Sequence, residues 1–390
     1  RGSDAGAVLA QASSRVDESA DMRLALGRFE VRLNNLDAAI RELRRALQLD
    51  PDLPPAIFSL GVAHRRAGHL DRAAETFERL ARIDGAHPGL ALERGLLFEA
   101  RGESERAVAA YRDALEEAPN DMDLLLRLGA AQVAAGQTDE AEDTLERVRQ
   151  SRPNSAEANH FMGRVQFARG QYTEALGPLR QAVRLDPSRG EFHLYVGWAA
   201  LEAGSLGEAL SSVEEAIERD PSLGDAHWIR GEVLLRSGRP RDALDDLRRA
   251  LELKPSRTEI LAAMGQAHNE LRNLSEAETA YEQAVQRVDD NGEWWYRLGR
   301  LRMDRGNRGE AKLALARATL LGDAMTPLPG WLADAHRLQA EAIRLGGNRG
   351  ERRDAIQHYR RYLELAPAGA IDRADVRRTL MDLGEVPPPE

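Results

Sequence analysis

The chain has 390 residues, 42% of them hydrophobic and 30% charged, and a formal net charge of −10. That length exceeds what one hydrophobic core serves, so several domains or a repeat array are expected. The acidic balance argues against nucleic acid as a partner, and the lack of cysteine excludes disulfides, thiolate metal sites and thiol nucleophiles.

No apolar run approaches the ~20 residues needed to cross a bilayer, so direct membrane insertion is not expected. The first residues are Arg1-Gly2-Ser3 with no methionine, which reads as a fragment. A cytoplasmic location is favoured, with the periplasm as the alternative if a signal or lipid anchor has been removed. Lys254 and Lys312 are the only lysines, and this arginine bias hints at a GC-rich bacterial genome.

In chain order, residues 1–19 come first as a cap or the stub of an upstream repeat, with Leu9, Ala12 and Val16 spaced as on a helix. A strict 34-residue period follows over residues 20–323. Gly27, Gly61, Gly95, Gly129, Gly163, Gly197, Gly231, Gly265 and Gly299 mark it, and Ala39 through Ala311 mark it again at the same pitch. With the marker glycine at position 8, a breaker glycine falls at position 15 in seven repeats, from Gly68 to Gly306; Asn34 and Arg272 stand there in the other two. A large apolar residue falls at 24, as in Leu43, Phe77, Tyr111 and Val213. Proline closes six repeats at 32; Gly85, Asp289 and Asp323 replace it in the others.

Each period therefore predicts two helices around the position-15 breaker, with the second ended near position 32. Glycine inside a helix costs about 0.5–1 kcal/mol against alanine, so nine in register need a compensating gain. Close approach of two antiparallel helices supplies it, with the residue at 24 filling the space beside the glycine.

After Leu321 the register slips: Ala355 lies 44 residues beyond Ala311. The extra residues are expected in the loop 322–330 and the glycine-rich turn 346–350. An irregular tenth repeat is expected within 324–367, and 368–390 holds a last helix, about 371–383, that covers the open end.

The small–large–small pattern at positions 8, 20, 24, 27 and 32 resembles the tetratricopeptide repeat family across residues 20 to about 323. The resemblance implies an all-α, right-handed superhelical solenoid of helix-turn-helix repeats. It also implies a concave face lined by the first helices, where ligands meet positions 2, 5, 9, 12 and 13.

Catalytic motifs are missing: there is no P-loop, no G-x-S-x-G and no G-x-G-x-x-G. His193 and His227 at position 4, and His64 and His268 at position 11, fall on packing positions and not on a converging metal set. Paired acids such as Glu116-Glu117 and Asp245-Asp246 read as solvated faces of second helices. The chain is expected to be no enzyme and to carry no cofactor or metal.

At the groove positions, apolar residues stand as anchor candidates: Phe58, Val62, Leu92, Leu96, Leu126, Phe167, Trp198, Leu201, Trp228 and Leu235. Those of repeats 5–7, centred on Trp198 and Trp228, are the strongest set. Position 2 is acidic in six consecutive repeats, through Asp123, Glu157, Glu191, Asp225, Glu259 and Glu293. A helix dipole favours such carboxylates in its first turn, so this acidic rim has a structural as well as a binding explanation. Arg28, Arg32, Arg65 and Arg66 make the N-terminal end basic. The carboxylate clamp and the asparagine ladder of specialised family members are both missing.

The expected function is a protein-interaction scaffold or adaptor that holds a peptide or helix segment with apolar and basic residues. Two alternatives stand beside it: a self-assembling homo-oligomer, head to tail or dimeric, and a targeting module of a larger multidomain protein.

Overall fold

A computed structural model describes residues 19–346 and 349–388. The N-terminal segment expected as cap or stub lies outside the described residues, as does part of the glycine-rich turn. Among the described residues every regular element is helical.

The helices follow the period closely. First helices run Ala20–Arg32, Pro54–Arg66, Leu90–Arg101, Met122–Ala134, Ala156–Ala168, Gly190–Glu202, Gly224–Arg236, Thr258–Glu270 and Gly292–Asp304. Eight of the nine begin at position 1. The third starts two residues late, because Gly89 takes a left-handed conformation (φ 79°) at its N-cap. Second helices run from Leu36–Leu49 to Leu274–Arg287 at positions 17 to 30.

The turn inside each pair rests on position 15. The seven breaker glycines have φ between 71° and 80°, and Asn34 and Arg272 adopt the same left-handed region at 62°. Losing the glycine therefore does not change the turn; it adds strain at those two positions.

The marker glycines do what close packing requires. A Cβ placed on Gly27, Gly61, Gly95, Gly129, Gly163, Gly197, Gly231, Gly265 or Gly299 would meet the position-24 side chain of the same repeat at 2.3 to 3.0 Å. Those side chains, including Leu43, Tyr111, Val213 and Leu247, are almost fully buried. The glycine and the large residue are one packing device, a knob in a hole that only a hydrogen atom leaves open.

Proline at 32 is not what ends the second helix. Repeats with Gly85 and Asp289 there stop at the usual residue, Ile83 and Arg287. Only the ninth second helix, Arg308–Asp323, runs on, and there no first helix begins until Leu332 to force the chain to turn. Trp331 fills the resulting gap, stacking on Tyr296 with ring centroids 5.6 Å apart. The chain continues through Leu332–Leu345, Arg352–Leu365 and Arg373–Asp382. Val376 and Leu380 of the last helix are buried against Tyr359, Tyr362 and Leu363.

The chain divides into two compact units, residues 1–187 and 188–390, at the turn ending the fifth repeat. Nothing in the 34-residue period marks that place.

Candidate functional site

In the first unit, the first helices of repeats 1 and 2 enclose a cleft of about 680 Å³. Its lining comes mainly from positions 5, 9, 12 and 13: Leu24, Arg28, Val31 and Arg32 on one helix, Phe58 and Val62 on the other, with Asp21 at position 2. Arg28 Nε donates to Ser59 Oγ at 3.1 Å, which fixes its guanidinium at the mouth. Phe58 stacks on His87 with centroids 4.6 Å apart.

Arg65 and Arg66 are placed differently. Arg65 donates to Glu93 at 2.7 Å, with both side chains mostly buried. Arg66 donates to the Val31 carbonyl and to Asn34 Oδ1, each at 3.0 Å. Both thus tie neighbouring repeats together, and the basic lining of the cleft consists of Arg28 and Arg32. Leu92, Leu96 and Leu126 are half-buried, packed against core clusters shared by their own repeat and the next. Phe167 is half-buried and meets Tyr172 edge to face at 5.1 Å.

In the second unit, Trp198 and Trp228 meet edge to face with centroids 5.3 Å apart. The Arg257 guanidinium lies over both rings, 5.6 Å from Trp198 and 4.2 Å from Trp228. Arg257 is held there by Asp225 at 2.6 Å. This cation–π stack is a residue pattern the period did not reveal, since Arg257 sits at position 34, in the turn between repeats. Trp228 is 9% exposed, and Leu201 and Leu235 are 1% and 4% exposed. These three are chiefly packing residues, whereas Trp198 keeps part of its ring in solvent.

The position-2 acids enter the site already engaged. Asp123 pairs with Arg152, Asp225 with Arg257 and Lys254, and Glu293 with Arg297. Glu259 lies 3.8 Å from Arg257. Glu157 is half-buried and Glu191 exposed.

Two further clefts open beside these residues. One, about 310 Å³, is lined by Trp228, Glu232, Glu259, Glu293 and Trp294 among others; the next, about 460 Å³, by Tyr281, Tyr296, Arg297, Arg300 and Trp331 among others. Burial pushes the Glu232 carboxyl above the usual carboxylate range, against the opposing pull of Arg236, the Trp228 N–H and Arg297. Trp228 Nε1 is buried without a hydrogen-bond partner, so it faces Glu232 without closing a bond onto it. Glu232 occupies position 9, a groove position, and an acid there was the available sequence signal.

A further expectation, on the paired acids, is corrected. Asp246 is no solvated surface acid: it is 7% exposed and accepts from Arg230 Nε at 2.7 Å, with His227 Nδ1 at 3.3 Å. Burial alone would raise its pKa, but the His227 and Arg230 hydrogen bonds and charges hold it below the usual range. The position-4 histidine His227 is thus a packing residue with a buried acid as partner. Asp245, its neighbour, is exposed as expected.

Family models for the tetratricopeptide repeat match residues 27–68, 58–122, 99–165, 162–223, 196–258 and 258–301. A search of curated proteins finds no match in sequence. Among solved structures, a tetratricopeptide repeat protein from Parabacteroides merdae is 18% identical, with a TM-score of 0.56 over 64% of this chain and 99% of its own. The APC/C hetero-tetramer Cut9–Hcn1 is 17% identical, with a TM-score of 0.59 over 92% of this chain and 75% of its own. The human IFIT1 dimer with m7Gppp-AAAA is 16% identical, with a TM-score of 0.53 over 84% and 80%. At these identities the likeness is one of fold. The matches run unbroken from residue 27 to residue 301 and agree with the nine helix pairs, so the chain belongs to the tetratricopeptide repeat family.

Proposed function

We propose that the chain is a non-enzymatic scaffold that holds a segment of a partner protein along its first-helix groove. Tetratricopeptide folds generally serve as protein-interaction scaffolds, and the finer reading concerns where and how this one binds. The observation that carries it is the register of the clefts. In the first unit the cleft is lined by positions 2, 5, 6, 9, 12 and 13 of the first helices. In the second unit the same positions line it together with Trp294 at position 3 and Asn291 at position 34, while positions 4, 8 and 11 are mostly packed inward.

The first-unit cleft joins an apolar wall to two cations, Arg28 and Arg32, and one acid, Asp21, a net positive lining that suits an apolar side chain flanked by acid. The second-unit cleft joins aromatic walls to carboxylates, which suits a basic one. Self-assembly by opposite charge has less to draw on, because Arg65, Arg66, Asp123, Asp225 and Glu293 are engaged within the chain.

The test is capture of partners from the source cell, identification by mass spectrometry, and titration of the recovered partner. Val62→Asp in the first unit and Trp198→Ala in the second change groove residues that are only half-buried. Each is expected to weaken the partner at least about tenfold, the effect of one anchor residue. Unchanged affinity in both variants, with helicity intact, would refute groove binding.

A further inference from the structure

We infer that the second-unit cleft between Trp228 and Trp294 receives a cationic side chain of the partner, a guanidinium or ammonium, with Glu232 as its counter-charge. This deepens the groove reading above and rests on it.

Most charges in the cleft are already engaged. Four carboxylates and two guanidiniums line the cleft. Arg236 donates to the Leu201 carbonyl at 3.0 Å and lies 3.5 Å from Glu202. Arg297 holds Glu293 and also donates to Gln266 at 2.8 Å. Glu259 has Arg257 at 3.8 Å. Among the described residues Glu232 forms no ion pair, although it is half-buried and partial desolvation pushes its carboxyl above the usual range. An anion entering here would find no unengaged cation, whereas a cation would find one unengaged carboxyl.

The walls point the same way. Indole faces attract cations more strongly than they attract neutral chains. The protein already uses this chemistry on Trp228, whose ring Arg257 covers at 4.2 Å, so the half-buried Trp294 is the indole of the cleft with more surface left for a partner's cation. A half-buried carboxyl with no ion pair of its own is partly desolvated, and a partner's cation in contact with it would offset that cost at binding. The volume, about 310 Å³, accommodates one such side chain.

The probe is Nα-acetyl-arginine amide, compared with the norleucine and glutamate analogues, read by tryptophan fluorescence and by ligand-observed NMR. A fragment of this size is expected to bind with a Kd on the order of 1 mM. The expected result is at least about tenfold preference for arginine over both analogues, and a loss of about tenfold in Glu232→Gln. Binding should also weaken as pH falls through the Glu232 titration in the wild type, and lose that pH dependence in Glu232→Gln. Because the substitution removes a half-buried carboxyl that holds no ion pair, the variant should fold about as stably as the wild type, which a thermal melt checks.

Equal binding of norleucine, no detectable arginine binding at about ten times the expected Kd, or unchanged affinity in Glu232→Gln would each overturn the assignment. Loss of partner capture in Trp198→Ala together with no arginine preference would leave the groove reading standing and remove only the cation site. Arginine preference that depends on Glu232, with partner capture unchanged in the groove variants, would do the reverse.

Discussion

Gly197 and Val213 offer the sharpest test of why nine glycines stand in register. A Cβ on residue 197 would lie 2.5 Å from Val213 Cγ1 and 3.2 Å from both Val213 N and Ala209 O. Two of those neighbours are backbone and the third belongs to a stiff β-branched side chain, so little can give way. Overpacking of this kind costs about 1–3 kcal/mol, and alanine returns about 0.5–1 kcal/mol of helix preference. Gly197→Ala should therefore destabilise the second unit by about 1–2 kcal/mol. Gly204→Ala should cost about 1 kcal/mol for a different reason: nothing lies within 4 Å, but φ is 80°.

A double-mutant cycle separates the two causes. Val213→Ala alone opens a cavity in the core and costs about 2 kcal/mol. Combined with Gly197→Ala, the new methyl occupies space that Val213 has vacated, so the pair should couple favourably by 1 kcal/mol or more, roughly. Combined with Gly204→Ala the costs should add. All five tryptophans, Trp198, Trp228, Trp294, Trp295 and Trp331, lie in the second unit, so urea unfolding by fluorescence reports on that unit. The m value must stay constant across the set for the midpoints to be compared. Additive costs for Gly197→Ala with Val213→Ala, within about 0.5 kcal/mol, would refute the packing account.

Three further outcomes follow from the same contacts. Arg272→Gly should relieve left-handed strain at φ 62° and, after the greater freedom of glycine in the unfolded chain is offset, raise stability by no more than about 1 kcal/mol in the same urea assay. Asp246→Ala should cost about 2–3 kcal/mol, because it leaves Arg230 and His227 without their acceptor; Arg230 keeps some solvent, which holds the loss below that of a fully buried pair. His336 is 3% exposed, and burial outweighs the attraction of Asp323 and lowers its pKa to about 4. A lowered folded-state pKa means the unfolded chain binds the extra proton first. Stability is then complete above about pH 6.5 and falls as pH drops toward 4, by about 3 kcal/mol at most from this residue. Thermal melts by circular dichroism between pH 7 and 4 should show a shallower loss in His336→Gln than in the wild type.

Much of the molecule is legible in one dimension because each repeat packs only on its neighbours. Gly231 and Leu247 are sixteen residues apart, and the helix period alone predicts that they meet. That a turn falls at Arg272 was legible from register, whereas its left-handed conformation was not, because the residue type argues against it. That Arg28, Phe58 and Val62 share one cleft also followed from their register.

Charge state was not legible. Arg65 and Arg32 read alike in sequence, yet one is locked to Glu93 and the other lines the cleft. Asp245 and Asp246 are adjacent, yet one is exposed and the other is buried beneath Arg230. Trp228 read as an anchor, but Arg257, from the turn at the end of its repeat, folds back over its ring.

The sequence by itself determined the family, the helix pairs and the register, because these depend on spacing along a helix and on side-chain volume. Only the tertiary structure decided which charges remain available and where the chain divides, because ion pairing depends on distances across turns and between helices that no period encodes.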